Sequence, residues 1–282
     1  MQKLKNLASL FVIILIFASC GEYQKVLNKG TTDEQYKMAV KLYEANKYSK
    51  ALRLFEKITP AFRGKPQMER IQYMVANSNF NEGSYSLAGY YFSRFTQNYP
   101  KSSKKEEADF LSALSFYKAA PSFSLDATDT DKALTSFQSF IDQYPNSDRI
   151  EEANKYYKEI RLLLEKKAFE IAKTYYHTSE YDSRNYKAAI VAFDNLLEDY
   201  LGTSYKEEAL YYRLKASHDY AVKSTVRRKA ERIKMAESAY EKLKRNFPES
   251  KYLKESDEML AKLQEEKKLV TKYNNQLKLV KR

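Results

Sequence analysis

Residues 88–108 read AGYYFSRFTQNYPKSSKKEEA. Ala88, Phe92, Phe95 and Tyr99 follow one another at steps of four, three and four, which holds them on one stripe of a helix with 3.6 residues per turn. The small alanine lets a neighbouring helix come close, and the rings fill the space beyond it. Pro100 cannot continue a helix and biases the residue before it away from helical geometry, so the helix is predicted to stop at or just before Tyr99. Ser102 or Ser103 then offers a hydroxyl to the free N–H groups of a new helix. Glu106 and Glu107 place acids in its first turns, where the dipole favours them.

The same sentence is written five times. Its copies are Ala51-Phe55-Ile58, Ala88-Phe92-Phe95-Tyr99, Ala133-Phe137-Phe140-Tyr144, Ala189-Phe193-Leu196-Tyr200 and Ala236-Tyr240-Leu243-Phe247. Pro60, Pro100, Pro145 and Pro248 follow four of them; Leu201 and Gly202 follow the other, where Gly202 can provide a left-handed stop. Ser102, Ser147, Thr203 and Ser250 come next, and three copies continue with Glu106-Glu107-Ala108, Glu151-Glu152-Ala153 or Glu207-Glu208-Ala209. Ser103 with Glu106, and Ser204 with Glu207, have the spacing of capping boxes.

These signals predict helical hairpins at 33–60, 67–100, 103–145, 148–200 and 204–248, with a last helix from near Lys251. No stretch sustains the period-two alternation of a sheet. The fold expected is all-α, a tetratricopeptide-like solenoid of helical hairpins in which each repeat buries its stripe against the next. The stripe alanines lie 37, 45, 56 and 47 residues apart, so most copies exceed the 34-residue tetratricopeptide core. The excess has visible sources: a turn-rich insert at 121–130, a long first helix in 148–180 broken by 181–185, and extra residues at 222–232. An irregular bundle with an aromatic core is the rival arrangement; five copies of one spacing, each followed by a stop, favour the solenoid.

The amino terminus has a different grammar. Lys3 and Lys5 precede an apolar run from Leu10 to Ala18, and Phe17-Ala18-Ser19-Cys20 closes it. Basic, apolar and small in that order is a secretory signal, with a cysteine where a bacterial lipoprotein signal needs one and Phe17 where leucine is usual. Residues 1–19 are therefore read as a lipoprotein signal peptide and Cys20 as the lipidated residue, with 20–32 as anchor and linker. Cys20 is the chain's one cysteine and cannot form an internal disulfide. Several acyl chains hold a protein on a membrane firmly where one does not.

The formal charge of +12 falls to about +10 without Lys3 and Lys5, which favours acidic partners or anionic headgroups. An exported, tethered chain would not meet nucleic acid. No phosphate loop or nucleophile elbow occurs, and His177 and His218 lack partners at metal-ligand spacing. The chain is expected to be a non-enzymatic protein-binding module without cofactor or metal. His177, beside Tyr175 and Tyr176, reads as an amphipathic boundary residue.

Two features suggest binding surfaces. There are 25 tyrosines, several paired or next to core positions; exposed, they give contact area with a polar tip. Tyr85, Tyr90 and Tyr91 are the candidate peptide-binding aromatics. Residues 223–234 carry Lys223, Arg227, Arg228, Lys229, Arg232 and Lys234 against one acid, a candidate partner-binding surface or a solvated helix face.

With Cys20, five hairpins, FTQNYPKS at 95–102, FIDQYPNS at 140–147 and YSKALRLF at 48–55, the chain resembles the BamD (YfiO) family of outer-membrane assembly lipoproteins. The resemblance implies an anchor in the periplasmic face of the outer membrane and a place in the machinery that inserts β-barrel proteins. It further implies that carboxy-terminal repeats dock on periplasmic domains of a barrel-forming subunit and amino-terminal repeats recognise unfolded barrel substrates. Carried over, repeats 1–3 (33–147) are the substrate candidate and repeats 4–5 (148–250) the docking candidate. Residues 251–282 form a helix and basic tail without an assigned role. A lipid-anchored scaffold for another envelope process is the alternative.

Overall fold

The computed structural model describes residues 21–280, with side chains to 276. The signal peptide and Cys20 lie outside the described residues. Helix α1 covers 21–29. Five hairpins follow: α2 (Thr32–Glu44) with α3 (Tyr48–Ile58), α4 (Gln67–Asn81) with α5 (Tyr85–Asn98), α6 (Lys105–Ala119) with α7 (Thr128–Gln143), α8 (Ile150–Thr178) with α9 (Arg184–Asp199), and α10 (Lys206–Val222) with α11 (Val226–Asn246). Helix α12 (Leu253–Val280) closes the array, and a 3-10 turn at Thr59–Phe62 joins α3 to α4. No strand occurs among the described residues. The fold is the all-α, tetratricopeptide-like array read from the spacing.

The stripe is the core. Ala51, Ala88, Ala133, Ala189 and Ala236 are wholly buried, as are the rings four residues on at Phe55, Phe92, Phe137 and Phe193, with Tyr240 nearly so. Large-to-small changes at such rings cost about 3–5 kcal/mol. Ala108, Ala153 and Ala209 of the Glu-Glu-Ala triplets are also fully buried; the fourth copy puts Ser256 at that position, equally buried, its hydroxyl turned back on the Tyr252 carbonyl.

Each stripe helix ends on its last aromatic. Tyr99, Tyr144, Tyr200 and Phe247 leave helical geometry at φ −128°, −128°, −119° and −139°, while their N–H groups still bond to the carbonyls of Phe95, Phe140, Leu196 and Leu243. Tyr200 does this with no proline behind it, so proline reinforces the stop and is not its sole cause. Gly202 lies beyond the stop at φ +81°, a conformation open to glycine.

The hydroxyls beyond these stops organise the joint rather than cap the helix. Ser102, Ser147, Thr203 and Ser250 accept the N–H two residues on, and their carbonyls accept the one three residues on. The predicted capping boxes at Ser103 and Ser204 do not form: α6 and α10 begin after Lys104 and Tyr205 without a side-chain cap. Their glutamates are engaged elsewhere. Glu106 accepts from Ser147 and Glu207 from Ser250, each at 2.6 Å. A capping box does exist at Thr31 and Glu34, at the start of α2.

Tyrosine hydroxyls make a second set of ties between repeats. Tyr43 donates to Asn77, Tyr117 to Glu159, Tyr176 to Asp219 and Tyr211 to Glu255, each partner 34 to 44 residues away in the chain; Tyr144 donates to Asp109 within its own hairpin. Part of the tyrosine content is thus spent holding neighbouring hairpins together.

The chain divides into two compact units, one up to Ile160 and one from Arg161. The division falls inside the 29-residue α8. Within the first, α4, α5 and α6 pack around Ala88, Phe92 and Phe95; within the second, Phe169 of α8 meets Phe193 of α9.

Candidate partner-binding surfaces

In the first unit, α5 carries all three candidate aromatics, but on different faces. Tyr85 is half-buried at the helix start, its ring 5.6 Å from Phe80 with Lys118 over it. Tyr90 is 49% exposed and packs against Tyr91 at 5.6 Å. Arg94, one turn on, donates to the Tyr90 hydroxyl at 3.2 Å and lies over its ring. Tyr90, Tyr91 and Arg94 therefore form one polar-tipped platform, from which Tyr85 is separate.

Tyr91 and Arg94 also border a groove of about 380 Å³. Its floor is the apolar face of α4, with Met68 and Ile71 buried and Val75 half-buried. Arg63, supplied by the turn after Thr59–Phe62, also lines it, with Glu56. An apolar floor with two arginines beside it suits an extended segment with a bulky side chain and a carboxylate. Sequence reading found Tyr91 but missed Arg63 and Arg94, because lone arginines in a basic chain give no local signal.

In the second unit, the basic stretch splits. Its first residue, Lys223, lies in the turn between α10 and α11 and donates to the Tyr186 hydroxyl at 2.6 Å. Lys229 pairs with Glu266 of α12 at 2.6 Å. Arg232 lies flat on Tyr220, its guanidinium 3.6 Å from the ring centroid, and donates to Ser224. These three cations hold the fold. Arg227, Arg228 and Lys234 are exposed; Arg227 and Lys234 share one helical stripe, seven residues apart, and Arg228 faces another.

Arg228 borders a groove of about 620 Å³ among α9, α10 and α11, with Ile190, Val191 and Met235 as its apolar part. Arg213 and Asp194 in this groove form a two-pronged pair at 2.5 and 3.0 Å. A shallower groove of about 480 Å³ adjoins it along α9, lined also by Tyr175 and Arg184, and the two share Lys187 and Val191. Tyr175 and Val191 are 41% and 47% exposed. The face is apolar in the middle with cations around it, the pattern that receives an acidic, partly apolar partner.

A polar cluster lies nearby in the same unit. Asp219 accepts the Tyr176 hydroxyl at 3.0 Å and faces His218 Nδ1 at 2.8 Å. Burial alone would raise the Asp219 carboxyl, but the bonds from His218 and Tyr176 outweigh it and hold it below the usual carboxylate range. His177 is exposed, its ring tilted against Tyr176 at 5.6 Å and edge-on to Tyr212 at 6.3 Å. Among the described residues no group of three or more His, Cys, Asp or Glu is placed to hold a metal ion, and no helix is long and apolar enough to cross a membrane.

Residues 28–232 match the model of the YfiO family, described as outer membrane lipoprotein. The chain is 26% identical over 236 residues to the outer membrane protein assembly factor BamD of Rickettsia prowazekii, covering 80% of this chain and 90% of the relative. It is 23% identical to BamD of Haemophilus influenzae, over 62% of this chain and 70% of that one. A putative BamD of Aquifex aeolicus is 27% identical over 45% of this chain and 42% of its own length.

Proposed function

The chain belongs to the YfiO family of outer membrane lipoproteins, and on that premise we propose that it is a non-enzymatic subunit of the machinery that assembles β-barrel proteins into the outer membrane. Cys20 is its lipid anchor, holding the array at the periplasmic face. The first three repeats, 33–147, receive unfolded barrel substrates, with the groove lined by Arg63 and Arg94 as the recognition element beside Tyr90 and Tyr91. Repeats 4 and 5, 148–250, dock on the periplasmic domains of the barrel-forming subunit. Arg228 and Lys187 beside Val191 and Met235 are the contact, while Lys223, Lys229 and Arg232 keep that face in shape.

The observation that carries the reading is the family match over residues 28–232, which spans the first candidate surface and all of the second but Met235. Affinity purification of the full-length lipoprotein from membranes solubilised in mild detergent tests it. Recovery of a β-barrel protein with tandem periplasmic domains is the expected result. Its absence while other envelope proteins co-purify would overturn the assignment in favour of a scaffold for another envelope process. Lys187→Glu with Arg228→Glu should then lower recovery of that barrel protein at least tenfold, because rim charges set encounter and register at such interfaces. Unchanged recovery would remove this face from the contact.

A further inference from the structure

Helix α12 carries features that neither surface above uses. One side of it is part of the body: Met259 and Leu263 in its first half and Val270 in its second are buried, and Lys229 reaches Glu266. Its second half exposes apolar groups. Leu269 is 61% exposed and Tyr273, one turn later, 47%; residues four apart lie on one side of a helix. The sequence continues with Leu277 and Val280 at steps of four and three.

Charge accompanies the stripe. Residues 267–282 hold Lys267, Lys268, Lys272, Lys278, Lys281 and Arg282 and no acid. Lys268 and Lys272 are exposed and line a groove of about 820 Å³ whose lone carboxylate, Glu237, is already paired with Lys267 at 2.8 Å. Beside the apolar stripe there is thus a basic, amide-rich trough. Lysines are flexible point charges that reach outward along an apolar surface. A protein hot spot would instead show aromatic anchors and arginine forks in a pocket.

We propose that the last turns of α12 are a second membrane contact, lying on an anionic phospholipid surface. Leu269 and Tyr273 enter the headgroup–acyl boundary, and Lys268 and Lys272 meet lipid phosphates. This is the chemistry of a basic amphipathic helix in the interface plane. The inference rests on the membrane placement proposed above, where a lipid surface is always within reach.

The chain contains no tryptophan, so Tyr273→Trp gives the full-length lipoprotein one indole at the proposed contact. The protein is reconstituted into vesicles of phosphatidylethanolamine and phosphatidylglycerol with brominated acyl chains. The expected result is a blue-shifted emission and roughly twofold quenching, lost in phosphatidylcholine vesicles and in Lys268→Glu with Lys272→Glu. Leu269→Trp is an independent second reporter and should behave alike. Vesicle flotation reads the Cys20 anchor separately; if flotation fails, quenching by added anionic vesicles still decides the helix. An indole that stays water-exposed and unquenched in both reporters overturns the proposal, and so does one shielded only when a protein partner is added.

Discussion

Ser250 donates its hydroxyl hydrogen to Oε1 of Glu207 across 2.6 Å. Glu207 belongs to the triplet that opens α10, and Ser250 to the joint beyond α11, so the bond closes one hairpin on the start of the next helix. Ser147 and Glu106 make the same bond two repeats earlier. In the repeat between, Thr203 donates to Glu165, which lies deeper along α8.

Breaking this tie should be felt and should not be catastrophic. Ser250→Ala is expected to destabilise the second unit by about 1 kcal/mol, the typical net worth of a hydrogen bond to a charged partner that keeps partial access to water. Urea denaturation followed by circular dichroism measures it. A midpoint identical to wild type would show that the bond contributes nothing.

Acid should loosen the same unit. Asp219 is held below its ordinary range in the folded state, so its contribution is present above the unfolded value of about 4 and is lost as pH falls through the lower folded value. Wild type should therefore lose melting temperature between pH 5 and pH 3 more steeply than Asp219→Asn. Parallel curves would contradict the role given to this carboxylate.

At the alkaline end, Tyr211 is pushed up to about 12 by burial and by its hydrogen bond to Glu255, with Lys215 opposing. A raised value means stability fully present below about pH 10 and lost as pH rises through 12. Ultraviolet titration of wild type minus Tyr211→Phe should show one phenolate forming about two units late. A difference curve centred near 10 would refute it.

Gly89 should not tolerate a methyl group. A Cβ there would stand 2.8 Å from the Phe116 ring, while Ser112 bonds the Gly89 carbonyl at 2.9 Å. Alanine gains about 0.5–1 kcal/mol of helix propensity, and overpacking costs about 1–3 kcal/mol, so Gly89→Ala should be destabilising by about 1 kcal/mol. Adding Phe116→Leu should recover part of the loss; a stabilised single variant would show that α5 and α6 can part.

The basic stretch should separate by role. Arg232→Ala loses a stacked guanidinium and is expected to cost about 1–2 kcal/mol, whereas Arg227→Ala should stay within about 0.5 kcal/mol of wild type. Thermal melts of the two variants decide between a structural and a free cation at each position.

Much of this molecule was legible in one dimension. The stripe needs only the helical period, and the stop needs only the loss of helical geometry at its last aromatic, so hairpin boundaries came out within a few residues. Partner choice among polar side chains was less legible. Glu106 and Glu207 have capping-box spacing yet bond to serines 41 and 43 residues away, because packing brings the next joint nearer than the local backbone. Tyrosine was similarly misleading in bulk: its number suggested exposed contact area, and the hydroxyls of Tyr43, Tyr117, Tyr176 and Tyr211 are occupied between repeats.

The sequence by itself determined the class of fold, the number of hairpins and the places where helices end, since these follow from apolar periodicity and backbone sterics within a few turns. Only the tertiary structure decided that Lys223, Lys229 and Arg232 are engaged by Tyr186, Glu266 and Tyr220 while Arg228 stands exposed at a groove, and that Arg63 and Arg94 line one groove. Those outcomes depend on which helices become neighbours. A charge is written in the chain, but its partner is chosen by packing between segments tens of residues apart.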